Sequence, residues 1–358
     1  MPFRGNSTEY EVSCRSAGSV AENIDEKKFD ITKVGISKNG AWNIYTGPNG
    51  NIANLSWAGD AANLSPCALV PKNEANGKAR LYKFTGGGGF EQTDIDVILP
   101  IVHGGNGEDG AIQGLAELYG VPYAGSDIAG SVCSYDKAIS KALCAGIDGL
   151  YTAKYIVFKK YEFDKDAAGI IKSAEEKLGY PMFVKPANAG SSVGIFKARE
   201  KSELAQAVSD AFMYDDKIII EENITGKEIE VAVMGNGGEL TVSCPGEVVP
   251  NADFYDYDTK YNNDTAEFFI PARIDEKTSE KVRGFAEKIY TAVGAGGFSR
   301  VDFFVDADNR IYFNETNTIP GFTDISQFAK LMMHHEKITY KEVVTKIIEL
   351  AIERKKTT

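Results

Sequence analysis

Two spacings of apolar residues alternate along this chain. Short apolar or period-two runs predict strands at 29–36, 95–102, 154–158, 181–185, 217–222, 228–234, 240–249, 299–305 and 310–314. Helical spacing predicts helices at 134–146, 166–178 and 278–293, and another whose face carries Ile112, Leu115 and Leu118. A last amphipathic helix places Val343, Val344, Ile347, Ile348 and Ala351 on one face. The run 95–102 has the look of a buried parallel strand, and it leads straight into His103-Gly104-Gly105-Asn106-Gly107. A loop at the carboxyl end of a parallel strand is where α/β proteins place ligands. The stretch 64–89 is polar and ends in four glycines, which predicts a surface hairpin or loop.

The order of elements divides the chain into three: 1–126, 127–222 and 223–358. At 358 residues it is long enough for two or three cores. No repeat and no Pro-rich linker separates the parts, so they are expected to pack closely. The longest apolar run, 97–102, is far short of the roughly 18 residues a membrane span needs, and the first residues lack the apolar region of a signal peptide. A net charge of −12 disfavours nucleic acid or an anionic membrane as the main partner, but a few local lysines suffice for a phosphate ligand. Five cysteines without zinc spacing predict reduced core thiols. Three histidines are too few for a histidine-rich metal site.

Chemistry is concentrated in a few segments. In Arg300-x-Asp302 and Glu315-x-Asn317 the polar residues recur at period two and project from one face of a strand pair. Such a cluster of oxygens suits Mg²⁺ bridged by phosphates, although a solvated sheet face would read the same way. Lys185 ends an apolar strand, and the loop Gly190-Ser191-Ser192-Val193-Gly194 behind it is rich in N–H and hydroxyl donors that can close over phosphate. Lys137 either snorkels to the surface or points at an anion. Glu221, Glu222 and Glu228 lie where carboxylates can accept from a ribose or a base, or simply be exposed strand-end charges. The turn 317–323 and Ser326 precede a helix whose free N–H groups suit a carboxylate.

Taken together these segments resemble the ATP-grasp ligases, and within them the D-alanine–D-alanine ligase family, with features of its D-Ala-D-Ser vancomycin-resistance branch. The resemblance rests on eight ordered matches through nearly the whole chain. They are Gly5-Asn6-Ser7-Thr8-Glu9, His103 to Gly110, Asp136-Lys137, Lys185-Pro186, Gly190 to Gly194, Phe254 to Tyr261, Arg300-x-Asp302, and Asn314-Glu315-x-Asn317 through Gly321. The fold it implies is α/β: a parallel N-terminal domain and two ATP-grasp subdomains, the last with a mostly antiparallel sheet. The activity it implies is ATP-dependent joining of two D-alanines through an acyl phosphate for peptidoglycan synthesis, in the cytoplasm, by a homodimer.

By the same resemblance Lys137, Lys185 and Lys260 would serve ATP. Glu221 and Glu228 would hold adenine and ribose, beside Glu222 and Ile224. Asp302, Glu315 and Asn317 would ligate two Mg²⁺, with Mn²⁺ as a substitute. Glu9 would hold the first D-alanine's ammonium, beside Ser191 and Tyr261. Arg300 and Gly321 would stabilise the oxyanion, Ser326 and Gln327 would meet the second substrate, and His103 would lie near the first. The chain departs from the family's pattern where an apolar strand precedes its first glycines. Here it reads Met1-Pro2-Phe3-Arg4, which predicts that the central first strand is missing. It departs again at Gln327, where relatives carry Leu or Arg. The alternatives are a D-Ala-D-Ser ligase and a catalytically impaired nucleotide-binding relative.

Overall fold

The computed structural model describes residues 1–3, 9–71, 77–191, 193–249, 266–323 and 326–357. Among them lie three sheets. The first, in the order β1 to β6, comprises β1 (Pro2–Phe3), β2 (Val34–Ile36), β3 (Trp42–Tyr45), β4 (Leu64–Val70), β5 (Ala79–Phe84) and β6 (Phe90–Ile95). The second runs β10-β9-β11-β8, from β8 (Tyr155–Lys159), β9 (Met182–Pro186), β10 (Phe196–Ala198) and β11 (Lys217–Glu222). The third runs β15-β14-β12-β16-β17-β7, with β13 (Glu239–Val242) also paired to β12. Its strands are β7 (Tyr151–Thr152), β12 (Lys227–Asn236), β14 (Gly246–Val249), β15 (Glu267–Phe269), β16 (Gly297–Val305) and β17 (Ile311–Asn317).

The first sheet corrects two expectations. It is mostly antiparallel: β2 to β6 form a meander, and parallel pairing is confined to β1 with β2 and two isolated bridges, Phe3 to Ile101 and Ile98 to Tyr123. The central slot is not empty either, because Pro2–Phe3 lies between β2 and Ile101, and Phe3 is fully buried. The run 95–102 and the residues 29–33 do not form continuous ladders. Instead the slot opens into a groove of about 780 Å³ against Met1, Ile31, Thr32, Trp42, Val97 and Leu99, away from the chemistry described below.

The Met1 ammonium is part-buried at the head of that groove and donates to the Thr32 carbonyl at 2.8 Å. Burial lowers its pKa from 8.0 to about 5. A base with a depressed folded pKa contributes stability that is complete above its unfolded value and lost as pH falls through the folded one. An added apolar segment ahead of Met1 turns the amine into a peptide N–H and fills the groove. Thermal melts of that extended chain are expected to show a higher midpoint, at about 1.5–3 kcal/mol per large side chain buried. Its stability is also expected to vary less between pH 5 and 8. An unchanged midpoint would mean that the groove does not accept a strand.

The other sheets follow the period-two pattern closely. In β9 and β11, Met182, Val184, Ile218 and Ile220 pack on the helices Lys160–Leu178 and Lys201–Ala211, while Lys185 and Glu221 face the opposite way. In the third sheet Ile229, Val231, Val233, Val301, Phe303 and Phe313 pack on the helix Glu276–Ala292. Arg300 and Asp302 occupy its other face. The predicted helix 134–146 is two helices, Ile128–Tyr135 and Lys137–Cys144, because Asp136 caps the second through the N–H groups of Ala138 and Ile139. The predicted strand 240–249 likewise splits into β13 and β14. Leu118, expected on the apolar face of its helix, is 84% exposed; Ile112 and Ala116 are what that helix buries. The strand β7 pairs with β17, so residues 151–152 belong to the third sheet rather than to the second. The largest core joins Phe3, Trp57 and Ile101 to Phe298, Phe322, Phe328 and the last helix, which fixes the first sheet to the third.

Candidate active site

A cleft of about 650 Å³ lies between the second and third sheets. Lys137, Lys141 and Lys185 line it, with Glu221, Glu222, Ile224, Glu228 and Glu315. Glu221 is fully enclosed, paired with Lys185 at 2.5 Å and Lys141 at 2.9 Å. Burial alone would raise its pKa, yet the two ammonium groups outweigh burial and bring it down to about 2. The Glu221 carboxylate lines the cleft between the two ammonium groups and holds Lys185 in place. Glu222, next along β11, instead accepts from the Lys154 N–H at 2.8 Å at the cleft's rim. Lys137 begins a helix, donates to the Ala189 carbonyl at 2.5 Å, and lies 3.6 Å from Glu315.

The carboxylates come together through an irregularity in β17. Phe313 pairs with Phe303 and Glu315 with Asp302, so the register shifts by one residue between them. Strict alternation from Ile311 and Phe313 would send Glu315 and Asn317 into the core. The bulge at Asn314 instead brings both to the face of Arg300 and Asp302. Arg300 donates to both oxygens of Asp302, Nε to Oδ1 at 2.7 Å and Nη2 to Oδ2 at 2.7 Å, and Asn317 donates to Oδ2 at 3.0 Å. Burial opposes the charge on Arg300, but Asp302 and Glu230 raise its pKa well above the ordinary value. Asp302, Glu315 and the Asn317 amide make a hard oxygen set on neighbouring strands. Two carboxylates and an amide oxygen are the hard donors Mg²⁺ takes, while Arg300 and Lys137 hold the carboxylates in the structure.

A second, smaller cavity of about 80 Å³ adjoins the cleft, and Glu315 lines both. Its walls come from distant segments: Glu9, His103, Ser191, Glu230, Arg300, Gly321, Ser326 and Gln327. Glu9 stands at the start of the helix Tyr10–Asn23 and accepts from the Ser191 hydroxyl. Gly190 leaves room for the Glu9 carboxylate, which a Cβ there would push aside. Burial first, and the nearby Glu108 second, raise the pKa of Glu9 to about 7. His103 bonds the Ile319 carbonyl through Nδ1 at 2.8 Å and the Ser16 hydroxyl through Nε2 at 2.9 Å. Burial alone would lower its pKa, but Glu108 and Glu9 raise it. On the opposite wall Ser326 precedes the helix Gln327–Glu336 and accepts from the Thr323 N–H at 3.0 Å. Gln327 is buried at the first position of that helix.

The expected site residues that the structure describes line the cleft or the small cavity, except Asp302, which sits behind them against Arg300 and Asn317. Lys260 and Tyr261 lie outside the described residues. Sequence reading missed Lys141, Glu108 and Glu230 as members of the site. The first stands four residues after Lys137 and the last two after Glu228, spacings that share a helix face and a strand face.

Two sheets holding a lysine-lined cleft between them, with a carboxylate pair at its inner end, define an ATP-grasp ligase. Sequence comparison agrees. The D-ala D-ala ligase N-terminus family matches residues 2–126, and the D-ala D-ala ligase C-terminus family matches residues 145–349. The chain therefore belongs to the D-alanine–D-alanine ligase family and is an ATP-dependent enzyme of peptidoglycan synthesis. It is 43% identical to a D-alanine–D-alanine ligase of Caldicellulosiruptor bescii, covering 98% of this chain and 94% of that one. It is 42% identical to one of Clostridium acetobutylicum, covering 98% and 97%. Among solved structures it resembles the VanG D-Ala:D-Ser ligase of Enterococcus faecalis (TM-score 0.84, 38% identity, 98% of each chain). It also resembles the D-alanine–D-alanine ligase of Coxiella burnetii (TM-score 0.84, 28% identity, 99% and 94%). Among the described residues no helix is long and apolar enough to cross a membrane.

Proposed function

We propose that this chain joins two D-alanines in the small cavity, using ATP bound in the cleft. The observation that carries this reading is that Glu315 lines both spaces, so phosphate and substrate carboxylate meet there. Lys137 and Lys185 hold the phosphates, and Lys141 with Glu221 keeps Lys185 extended toward them. Glu221, Glu222, Ile224 and Glu228 face the nucleoside. Glu9, oriented by Ser191, takes the ammonium of the first D-alanine, whose carboxylate attacks the γ-phosphate to give an acyl phosphate. The N–H groups before the helix Gln327–Glu336, with Ser326, take the carboxylate of the second. Its amine displaces phosphate while Arg300 and the Gly321 backbone stabilise the oxyanion. His103 fixes the wall beside the first substrate. Asp302, Glu315 and Asn317 would hold two Mg²⁺ ions, or Mn²⁺, which would neutralise phosphate charge. By resemblance to the family Lys260 would serve ATP and Tyr261 the first D-alanine, and the enzyme works in the cytoplasm as a homodimer.

Phosphate release that depends on both ATP and D-alanine, with the dipeptide identified by mass, tests this. Release without dipeptide would contradict it. Gln327 bears on the second substrate, because its amide offers both a donor and an acceptor where an apolar wall would favour a methyl group. D-serine is expected to compete with D-alanine within about a hundredfold, since one hydroxyl in an unspecialised pocket discriminates no further. Gln327→Leu is expected to move the product ratio toward D-alanyl-D-alanine. An unchanged ratio would show that residue 327 does not face the second side chain.

A further inference from the structure

Arg300 and Asp302 make a contradictory pair for the site just described. On that reading Asp302 must receive a divalent cation. In the structure both its oxygens are occupied by the Arg300 fork, and Oδ2 accepts from Asn317 as well. A carboxylate has about four lone-pair positions, and at least three are in use here. A divalent cation arriving at Asp302 would also face the guanidinium charge at close range. The guanidinium therefore has to give up part of its hold. It is mostly buried, with 16% of the side chain exposed, so it cannot move into bulk water without a cost.

One carboxylate is placed to receive it. Glu230 lies on β12 directly across from Asp302, and its Oε1 is 3.4 Å from Arg300 Nε. Its side chain is 13% exposed and faces the same small cavity. We propose that Glu230 is a positioning residue that takes over the Arg300 guanidinium when a divalent cation takes Asp302. The charge relocates between two acidic side chains on adjacent strands, and Arg300 stays in the cavity where the oxyanion forms. Without Glu230 the guanidinium keeps its grip on Asp302 and competes with the metal. The proposal rests on the reading of Asp302 as a metal ligand.

The test is a titration of Mn²⁺ into the protein with ADP, following the free-ion signal by electron paramagnetic resonance, with no D-alanine present. Glu230→Gln is expected to weaken Mn²⁺ binding by about tenfold or more, in line with other groups that act through a ligand. Glu230→Asp, which keeps the charge, is expected to recover most of the affinity. In an Arg300→Met background the same Glu230→Gln change is expected to have no effect, because the competitor is gone. Thermal melts of each variant separate misfolding from lost binding. An unaltered Mn²⁺ affinity in folded Glu230→Gln overturns the proposal. So does an equal loss in the Arg300→Met background, which would make Glu230 a ligand itself. Asp302→Asn serves as the control: wild-type Mn²⁺ binding in that variant would sink the metal reading and this inference with it, whereas lost binding there leaves the Glu230 arms to decide.

Discussion

Glu315→Gln is expected to lower kcat by on the order of a hundredfold or more, with the denaturation midpoint close to the parent's. The substitution keeps the shape and removes one charge. That charge stands 3.6 Å from Lys137 and on the boundary between cleft and cavity, where the negative phosphates and a substrate carboxylate converge. A hard cation holds an amide oxygen far less tightly than a carboxylate, so the phosphates lose their shield when transfer requires it. Stability changes little, because the side chain is 23% exposed and an amide there can still meet water. Steady-state phosphate release checks this. Turnover near that of the unaltered enzyme would remove Glu315 from the metal site.

Arg300→Met is expected to do two things at once. Removing the oxyanion donor should cost about 10²–10³ in kcat. Removing the partner of two largely enclosed carboxylates, Asp302 and Glu230, should also destabilise the fold by about 3 kcal/mol. The two effects have different remedies. Added Mg²⁺ supplies a new counter-charge to Asp302, so the midpoint should rise with the ion while kcat does not recover. Thermal melts with and without the ion, beside phosphate release under the same conditions, separate them. A variant that regains turnover with the ion would show that Arg300 serves only as a counter-charge and does not touch the reacting centre.

Much of the site was readable before any coordinates because its residues sit in short segments of unusual composition. Lys185 at the end of an apolar strand, the glycine-rich loop behind it and the pair Arg300-x-Asp302 each declare themselves locally. What stayed hidden depends on partners far along the chain. Glu221 reads as an exposed strand-end charge until β9 and the helix Lys137–Cys144 bring Lys185 and Lys141 to it. Glu230 reads as the polar half of an alternating strand until β16 is laid beside it. The run 95–102 looks like a complete strand, yet pairing requires a neighbour, and β1 meets it only in the bridge from Phe3 to Ile101. Leu118 fits a helical stripe by spacing, but the contacts of that helix are made one step around, through Ile112 and Ala116. Periodicity reports which faces differ, and the neighbours decide which face is covered.

The bulge at Asn314 works as a phase shifter. Ahead of it, β17 keeps odd-numbered residues in the apolar layer; behind it, the same odd numbers line the small cavity. The two frames are joined by one residue, so the strand carries a core-building message and a chemical message in opposite phase. Drawing Asn314 into a regular ladder, with no bulge, would not merely straighten the strand. It would rotate Glu315 and Asn317 into the layer of Phe303 and Val301 and turn Thr316 outward in their place, exchanging the inside and the outside of the enzyme's centre in a single step. Glu315 and Asn317 therefore change face together: both stay on the side of Arg300 and Asp302 only while the one extra residue between Phe313 and Glu315 is kept out of the alternation.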